Sequence, residues 1–164
     1  MSRTHLLAAT LLFASAAFPD DQPHPPAQLS VEKWFVGGWN CKGTELESGR
    51  AIVDTATFSM ELGGFWLQEQ ISLVGASAKS RDLATVFIGW DGTQHVRYDF
   101  LVGGMARFTS NGFEGDTIVF AGERLLANGR KQSMKHTITK KGDRAFLSTF
   151  EVEGKIAFQE TCSK

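Results

Sequence analysis

Short segments with alternating apolar and polar residues, separated by tight-turn signals, are the feature that most constrains the fold. Alternation with a period of two is typical of β-strands, and glycine-containing dipeptides between such strands form hairpin turns. Connections this short cannot join parallel strands, so the sheet is predicted to be antiparallel. The turn signals are Gly63-Gly64, Asp91-Gly92, Gly103-Gly104, Asn128-Gly129, Lys141-Gly142-Asp143 and Glu153-Gly154.

The number of strands predicts a closed barrel. Counting Trp39–Glu45 as the first strand gives about ten strands, preceded by a short helix at Ser30–Val36. Consecutive hairpins most simply form an up-and-down sheet, and closing that sheet removes its exposed edges. The 17 glycines and 13 phenylalanines suit many turns around an apolar interior. We therefore predict an all-β fold, an antiparallel up-and-down barrel of about ten strands, as a single domain over residues 30–164.

The amino-terminal segment predicts export. Arg3 and His5 precede an apolar run at residues 6–14 and then three small residues, which is the pattern of a secretory signal peptide. The run is shorter than the roughly 20 residues of a spanning helix, so no membrane span is expected. We predict a signal peptide at residues 1–17, with cleavage after Ala17 or, as the alternative, after Ala16. A proline-rich extended tether at residues 18–29 follows, and the location is periplasmic or secreted.

Two cysteines, Cys41 and Cys162, lie near opposite ends of the predicted domain. In an oxidising compartment two cysteines favour one disulfide, with two buried thiols as the alternative. Closure of the barrel places the first strand beside the last, and these strands carry the two cysteines. The pair supplies too few ligands for a zinc site, so no metal is expected.

Several short motifs resemble those of known barrels. Residues 35–43, with Gly37-Gly38-Trp39, resemble the opening strand of calycin-type barrels, the lipocalin and fatty-acid-binding group. The order of this segment with residues 62–67, 87–91 and 159–162 is similar to a bacterial family of secreted domains of unknown function. The resemblance covers residues 30–164 and implies a calycin-like fold, but it supplies no catalytic residues.

A row of polar residues is predicted on the inner face of the last three strands. His136, Ser148 and Glu160 each share a face with apolar residues of their strand. With three-residue loops at Lys141–Asp143 and Glu153–Lys155, the three side chains would lie side by side inside the barrel. A two-residue turn would break this alignment, because a slip of one residue moves a whole strand face to the other side.

Asp54 and Glu69 are further candidates for the interior. Asp54 follows Ile52 on the inner pattern of its strand, and Glu69 interrupts an apolar face. Buried carboxylates need partners, and Arg107 or Arg124 could supply one.

Tyr98 is the last interior candidate. It lies between Val96 and Phe100, so its hydroxyl could reach the cavity or make one hydrogen bond within the core. On this assignment Arg97 and Asp99 occupy the opposite face and are solvated charges.

Composition and motifs leave three functional hypotheses. The formal net charge of −1 gives no case for a nucleic-acid partner, and the sequence contains no phosphate-binding loop, nucleophile elbow or histidine pair at metal spacing. We favour an exported non-catalytic barrel that binds a small, mainly apolar ligand, without a cofactor. The alternatives are an enzyme that uses His136 and Glu160 for acid–base chemistry, and a filled structural or interaction barrel. The oligomeric state is not predicted.

Overall fold

The structure, a computed structural model, describes residues 23–74 and 80–164. The predicted signal peptide and its cleavage site lie outside the described residues. The described part is an all-β fold, a closed antiparallel barrel of ten strands with one additional short strand and very little helix. The predicted fold class is confirmed. The described helices include none with the length and apolar character needed to cross a membrane.

The described elements follow the predicted order of helix and hairpins. A 3₁₀ helix at Ala27–Phe35 begins three residues before the predicted helix, and a second 3₁₀ turn lies at Leu62–Gly64. The strands are β1 (Gly37–Glu45), β2 (Ala51–Glu61), β3 (Trp66–Val74), β4 (Ser80–Trp90), β5 (His95–Leu101), β6 (Gly104–Ser110), β7 (Phe113–Glu114), β8 (Thr117–Leu126), β9 (Lys131–Lys140), β10 (Ala145–Val152) and β11 (Lys155–Ser163).

The barrel closes at two junctions between strands that do not follow one another in the chain. Strand β1 pairs with β11, and β6 pairs with β8, while β7 pairs only with the start of β8. Cys41 lies directly opposite Cys162 in the first junction, and the two form a disulfide. The predicted meeting of the first and last strands is therefore confirmed.

Gly43 allows β11 to approach β1 closely. A Cβ atom added at Gly43 would lie 2.5 Å from the Cβ atom of Glu160, closer than real side chains pack. The absence of a side chain on Gly43 thus leaves room for Glu160 on the neighbouring strand.

Aromatic side chains fill the end of the barrel that carries the two 3₁₀ helices, which we call the closed end. Trp39 is fully buried, and its indole nitrogen donates a hydrogen bond of 2.6 Å to the carbonyl oxygen of Phe35. Its ring packs against Trp34 and Phe146 at centroid distances of 5.1 and 4.8 Å. These contacts attach the amino-terminal 3₁₀ helix to the barrel as a plug.

The pairing register of the β9–β10 hairpin differs from the predicted register by two residues. Its loop spans residues 141–144, which is longer than the three residues expected, and places Phe150 rather than Ser148 opposite His136. Because the side-chain period of a strand is two, this shift leaves His136 and Ser148 on the inner face.

The β10–β11 hairpin has a two-residue turn at Glu153-Gly154, so the three-residue loop predicted there is wrong. A bulge beside the pairing of Phe150 with Phe158 adds one residue to β11, and Ser148 lies opposite Glu160 as predicted. A β-bulge changes the register by one residue, so it cancels the slip that the shorter turn introduces. Ile156, which lies before the bulge, is 45% exposed.

Candidate functional site

A cavity of about 370 Å³ occupies the barrel interior and extends towards the strand ends opposite the 3₁₀ helices, which we call the open end. Specific small-molecule sites are typically apolar clefts of roughly 300–1,000 Å³ with a few polar groups. The apolar part of the wall includes Ile52, Ala56, Phe58, Ile71, Leu73, Leu83, Ala84, Leu101, Met134, Ile138, Phe150 and Phe158. The described interior is therefore not completely filled by side chains.

Five of the six predicted site residues line this cavity, namely Asp54, Glu69, His136, Ser148 and Glu160. They come from five different strands, β2, β3, β9, β10 and β11, so only closure of the barrel brings them together.

Tyr98, the sixth, is not among the residues that line the cavity. It is half-buried on the outer face of β5, where it packs on Trp66 at a centroid distance of 6.2 Å. The guanidinium of Arg107 lies 6.0 Å from its ring centroid on the same side.

The assignment of Arg97 and Asp99 as solvated charges is wrong, because both are buried inside the barrel. The Nε atom of Arg97 donates to Asp99 Oδ1 at 2.6 Å, and its Nη2 atom donates to Asp99 Oδ2 at 3.1 Å. Two parallel bonds between a guanidinium and a carboxylate are strong and specific, and they compensate for the loss of water around both charges. Apolar residues therefore take the outer face of this strand, and the charged pair takes the inner one.

Aromatic rings surround the Arg97 guanidinium. The ring centroids of Phe108, Phe120 and Phe150 lie 5.7–5.8 Å from its central carbon. Attraction between the cation and the ring faces contributes to holding this charge in the barrel.

His136 connects Arg97 to Ser148. The Nη1 atom of Arg97 lies 2.6 Å from His136 Nδ1, and His136 Nε2 lies 3.0 Å from the Ser148 hydroxyl oxygen. An arginine can only donate, so Nδ1 accepts and the ring proton is on Nε2, from which it is donated to Ser148. Burial and the Arg97 charge hold the pKa of His136 well below its usual range, so this histidine is neutral.

Asp54 and Glu69, which are buried, and Glu160, which is half-buried, form a group of acids in the cavity. Burial, followed by the charges of Asp54 and Glu69, raises the pKa of Glu160 to about 8. Burial also raises the pKa of Glu69 to about 7, although the nearby Arg97 guanidinium opposes this shift. Burial raises the pKa of Asp54, and its hydrogen bond with Glu160 opposes that rise. At neutral pH this part of the cavity therefore keeps protons that exposed carboxyl groups would lose.

The structure corrects the arginine partner that the sequence suggested for Glu69. The partner is Arg97, whose Nη2 atom lies 3.6 Å from Glu69 Oε2. Arg107 is exposed on the outer face. Arg124 does line the cavity, but its buried Nε atom has no hydrogen-bond partner among the described residues.

The geometry does not fit Ser148 as a nucleophile activated by His136. His136 presents its N–H group to Ser148 and its lone pair to Arg97, so it does not accept the Ser148 proton. Serine needs an adjacent base to become a nucleophile. The Cys41 and Cys162 sulfurs lie within 4.8 Å of the Glu160 carboxylate, but the disulfide removes the thiolates that a metal would require.

The interpretation of the sequence missed Arg50, Arg97 and Asp99 as charged residues of the cavity wall. Arg97 and Asp99 are two residues apart, so they share a strand face and can pair on it. That spacing, together with acidic residues on the inner faces of β2, β3 and β11, is the signal that could have identified them.

No protein-family model and no curated protein matches the chain. Among solved structures, it is similar to Rv2717c from M. tuberculosis at a TM-score of 0.60 and 11% sequence identity, over 85% of this chain and 98% of that one. A redesigned β-barrel, mFAP1, bound to DFHBI, matches at a TM-score of 0.45 and 11% identity, over 80% of this chain and 96% of that one. The likeness to Rv2717c supports the β-barrel fold alone.

Proposed function

We propose that the protein is an exported, non-catalytic β-barrel that binds a small, mainly apolar ligand in its interior cavity. The observation that carries this proposal is a cavity of about 370 Å³ whose wall is mostly apolar but includes a few convergent polar side chains. Apolar wall area provides affinity, and the polar groups orient one end of the ligand.

Export is part of the proposal. The pattern of residues 1–17 predicts a signal peptide, and the Cys41–Cys162 disulfide is typical of proteins in oxidising compartments. The calycin-like resemblance is consistent with a carrier, since barrels of this size can hold one small ligand.

A cavity-filling substitution tests the binding site directly. Ala84 is buried and lines the cavity, whereas Ala121 is exposed on the outer face of β8. The neutral fluorophore N-phenyl-1-naphthylamine should bind the unmodified protein, and Ala84→Phe should weaken that binding at least tenfold. The matched variant Ala121→Phe should bind within about twofold of the unmodified protein.

Equal binding by the two variants would contradict an interior site, and no binding by the unmodified protein would contradict the proposal for this class of ligand. Circular dichroism of Ala84→Phe checks that the barrel still folds. Ala56→Phe, at a second buried position of the same wall, provides an independent test.

Native mass spectrometry of protein purified from the periplasm of its own host tests the natural function. We expect a chain that begins at Phe18 and an additional small-molecule mass that is lost on denaturation. Repeated spectra without an added mass would contradict ligand binding, and an uncleaved chain would contradict export through this signal.

A further inference from the structure

The chemistry of the cavity wall narrows the class of ligand, an inference that rests on the proposed function. The first observation is that Arg97 already contacts acceptors on all three nitrogens of its guanidinium. Its Nε and Nη2 atoms donate to Asp99, and its Nη1 atom donates to His136. A ligand carboxylate that approached Arg97 would have to displace these partners, so the deep arginine is not a free anion site.

The second observation is that one carboxyl oxygen of the cavity wall is unsatisfied and that a second carboxyl group has only a distant cationic neighbour. The Oε2 atom of Glu160 is buried and has no hydrogen-bond partner among the described residues. Glu69 is only 7% exposed, and its nearest positively charged neighbour in the described chain is Arg97, 3.6 Å away. A buried acceptor without a donor destabilises the protein, so a ligand that supplies a donor here would bind more tightly.

The third observation concerns charge. Asp99 and Arg97 neutralise each other, and the remaining charged residues of the wall are the acids Asp54, Glu69 and Glu160 with Arg50 and Arg124. The neighbouring His136 is oriented by Arg97 and contributes no positive charge. The unsatisfied Glu160 oxygen beside Asp54 and Glu69 therefore matches a ligand group with several N–H donors.

We propose that the cavity selects ligands with an apolar body and a primary amine at one end, and that the ammonium group lies between the carboxyl groups of Glu160, Glu69 and Asp54. A primary ammonium has three N–H donors, which matches three acceptor groups. The apolar body then lies along the wall formed by residues such as Ala84 and Phe158.

Glu160 loses its carboxyl proton when the amine binds. When a neutral amine enters, the Glu160 carboxyl proton moves to the amine nitrogen, and an ammonium–carboxylate pair forms. When an ammonium ion enters, the same proton leaves to solvent. An alkylamine holds its proton more tightly than a carboxyl group with a pKa of about 8, because the pKa of a lysine-like amine is about 10.4.

Binding is therefore expected to strengthen as the pH rises from 6 to 8. The charged groups that act on Glu160 in this titration are Asp54 from β2, Glu69 from β3 and Arg97 from β5, and Arg50 and Arg124 line the same cavity. Ser148 from β10 donates to the ionised carboxylate and lowers its pKa.

Three probes of equal chain length test the inference by displacing N-phenyl-1-naphthylamine from the cavity: n-octylamine, 1-octanol and octanoate. At pH 8 we expect octylamine to bind at least tenfold more tightly than the other two, and at least tenfold more tightly than it does at pH 6. Calorimetry in buffers of different ionisation heat should show release of close to one proton per octylamine at pH 7.

Glu160→Gln should reduce the preference for octylamine over octanol to about twofold while octanol still binds. Glu69→Gln should reduce it in the same direction, and it provides a second variant if Glu160→Gln does not fold. Glu123→Gln, on the exposed outer face of β8, should keep the full preference.

The outcomes separate this inference from the proposed function. Octanol binding without an amine preference would overturn the inference and leave the proposed function intact. Tightest binding of octanoate would also overturn it, and would instead indicate an anion site at Arg124, whose buried Nε atom is unpartnered. If none of the probes displaces the fluorophore, both proposals fail for ligands of this size.

Discussion

The two ends of the barrel differ in how completely side chains fill the interior. At the closed end, aromatic rings from the 3₁₀ helix and four strands pack in face-to-edge and stacked pairs, and Trp39 completes its one hydrogen bond within this plug. Towards the open end, the wall encloses a cavity, and Glu160 keeps a buried oxygen without a hydrogen-bond partner in the described chain. The difference indicates that the closed end serves stability, whereas the open end keeps the empty volume and the unsatisfied polar group that the proposed binding site would use.

The largest expected effect lies at the closed end. Trp39→Ala should lower the free energy of unfolding by about 4 kcal/mol, because loss of a fully buried tryptophan removes apolar burial and leaves a void. Urea unfolding measures this, with Phe158→Ala as the matched change on the cavity wall. Since Phe158 already borders empty volume, its truncation should cost less than half as much. Equal losses would contradict the division between a packed end and an open one.

The disulfide is expected to give the next largest effect. Replacing Cys41 and Cys162 by serine should lower the free energy of unfolding by about 3 kcal/mol, because the bond closes a loop with a sequence separation of 121 residues. The same change should appear on reduction of the unmodified protein. Peptide maps under non-reducing conditions should show the two cysteine peptides linked. Free thiols in exported protein would contradict this account of the strand junction.

The pH dependence of stability tests the buried acids. The folded-state pKa values of Glu69 and Glu160, about 7 and about 8, lie above those of exposed glutamates, so the folded protein binds more protons between pH 5 and 8. Stability should therefore fall as the pH rises from 5 to 8, by on the order of 2 kcal/mol, with the neutral buried His136 opposing part of this fall below its usual pKa. In the double variant Glu69→Gln, Glu160→Gln most of this decrease should disappear. A stability that rises over the same range would contradict the assignment.

The smallest effect is expected at Tyr98, which the sequence suggested as a cavity residue. Because it is half-buried on the outer face, Tyr98→Phe should change the stability by less than about 0.5 kcal/mol and leave probe binding unchanged. Arg97→Met, one residue away on the inner face, provides the contrast, since it leaves Asp99 buried without its partner. A loss of probe binding in Tyr98→Phe would contradict the placement of Tyr98 outside the cavity.

The fold could be predicted because its determinants are local in the sequence. Turn dipeptides separate the strands, and the positions of Cys41 and Cys162 indicate which strands meet. The inner faces of β9 to β11 were also predicted, although the actual turns differ from the assumed ones. The longer β9–β10 loop shifts the pairing register by two residues, which keeps the same strand faces inside. In the β10–β11 hairpin, the bulge cancels the one-residue shift that the shorter turn introduces.

The inner face of β5 could not be predicted by counting apolar residues. Val96 and Phe100 favour one face, but Arg97 and Asp99 form a bidentate pair that can be buried as a unit. Pairing between side chains is a property of three-dimensional contacts and does not appear in a hydrophobic pattern. The cavity itself is equally invisible in the sequence, because it depends on how completely the side chains of ten strands fill the barrel.

A crystal structure of the protein grown with 1-octanol tests the central claim most directly. The account predicts one octanol molecule inside the barrel, with its chain against Ala84 and Phe158 and its hydroxyl group within hydrogen-bond distance of the Glu160 carboxyl group. An interior closed by side chains, or octanol bound only on the outer surface, would contradict it.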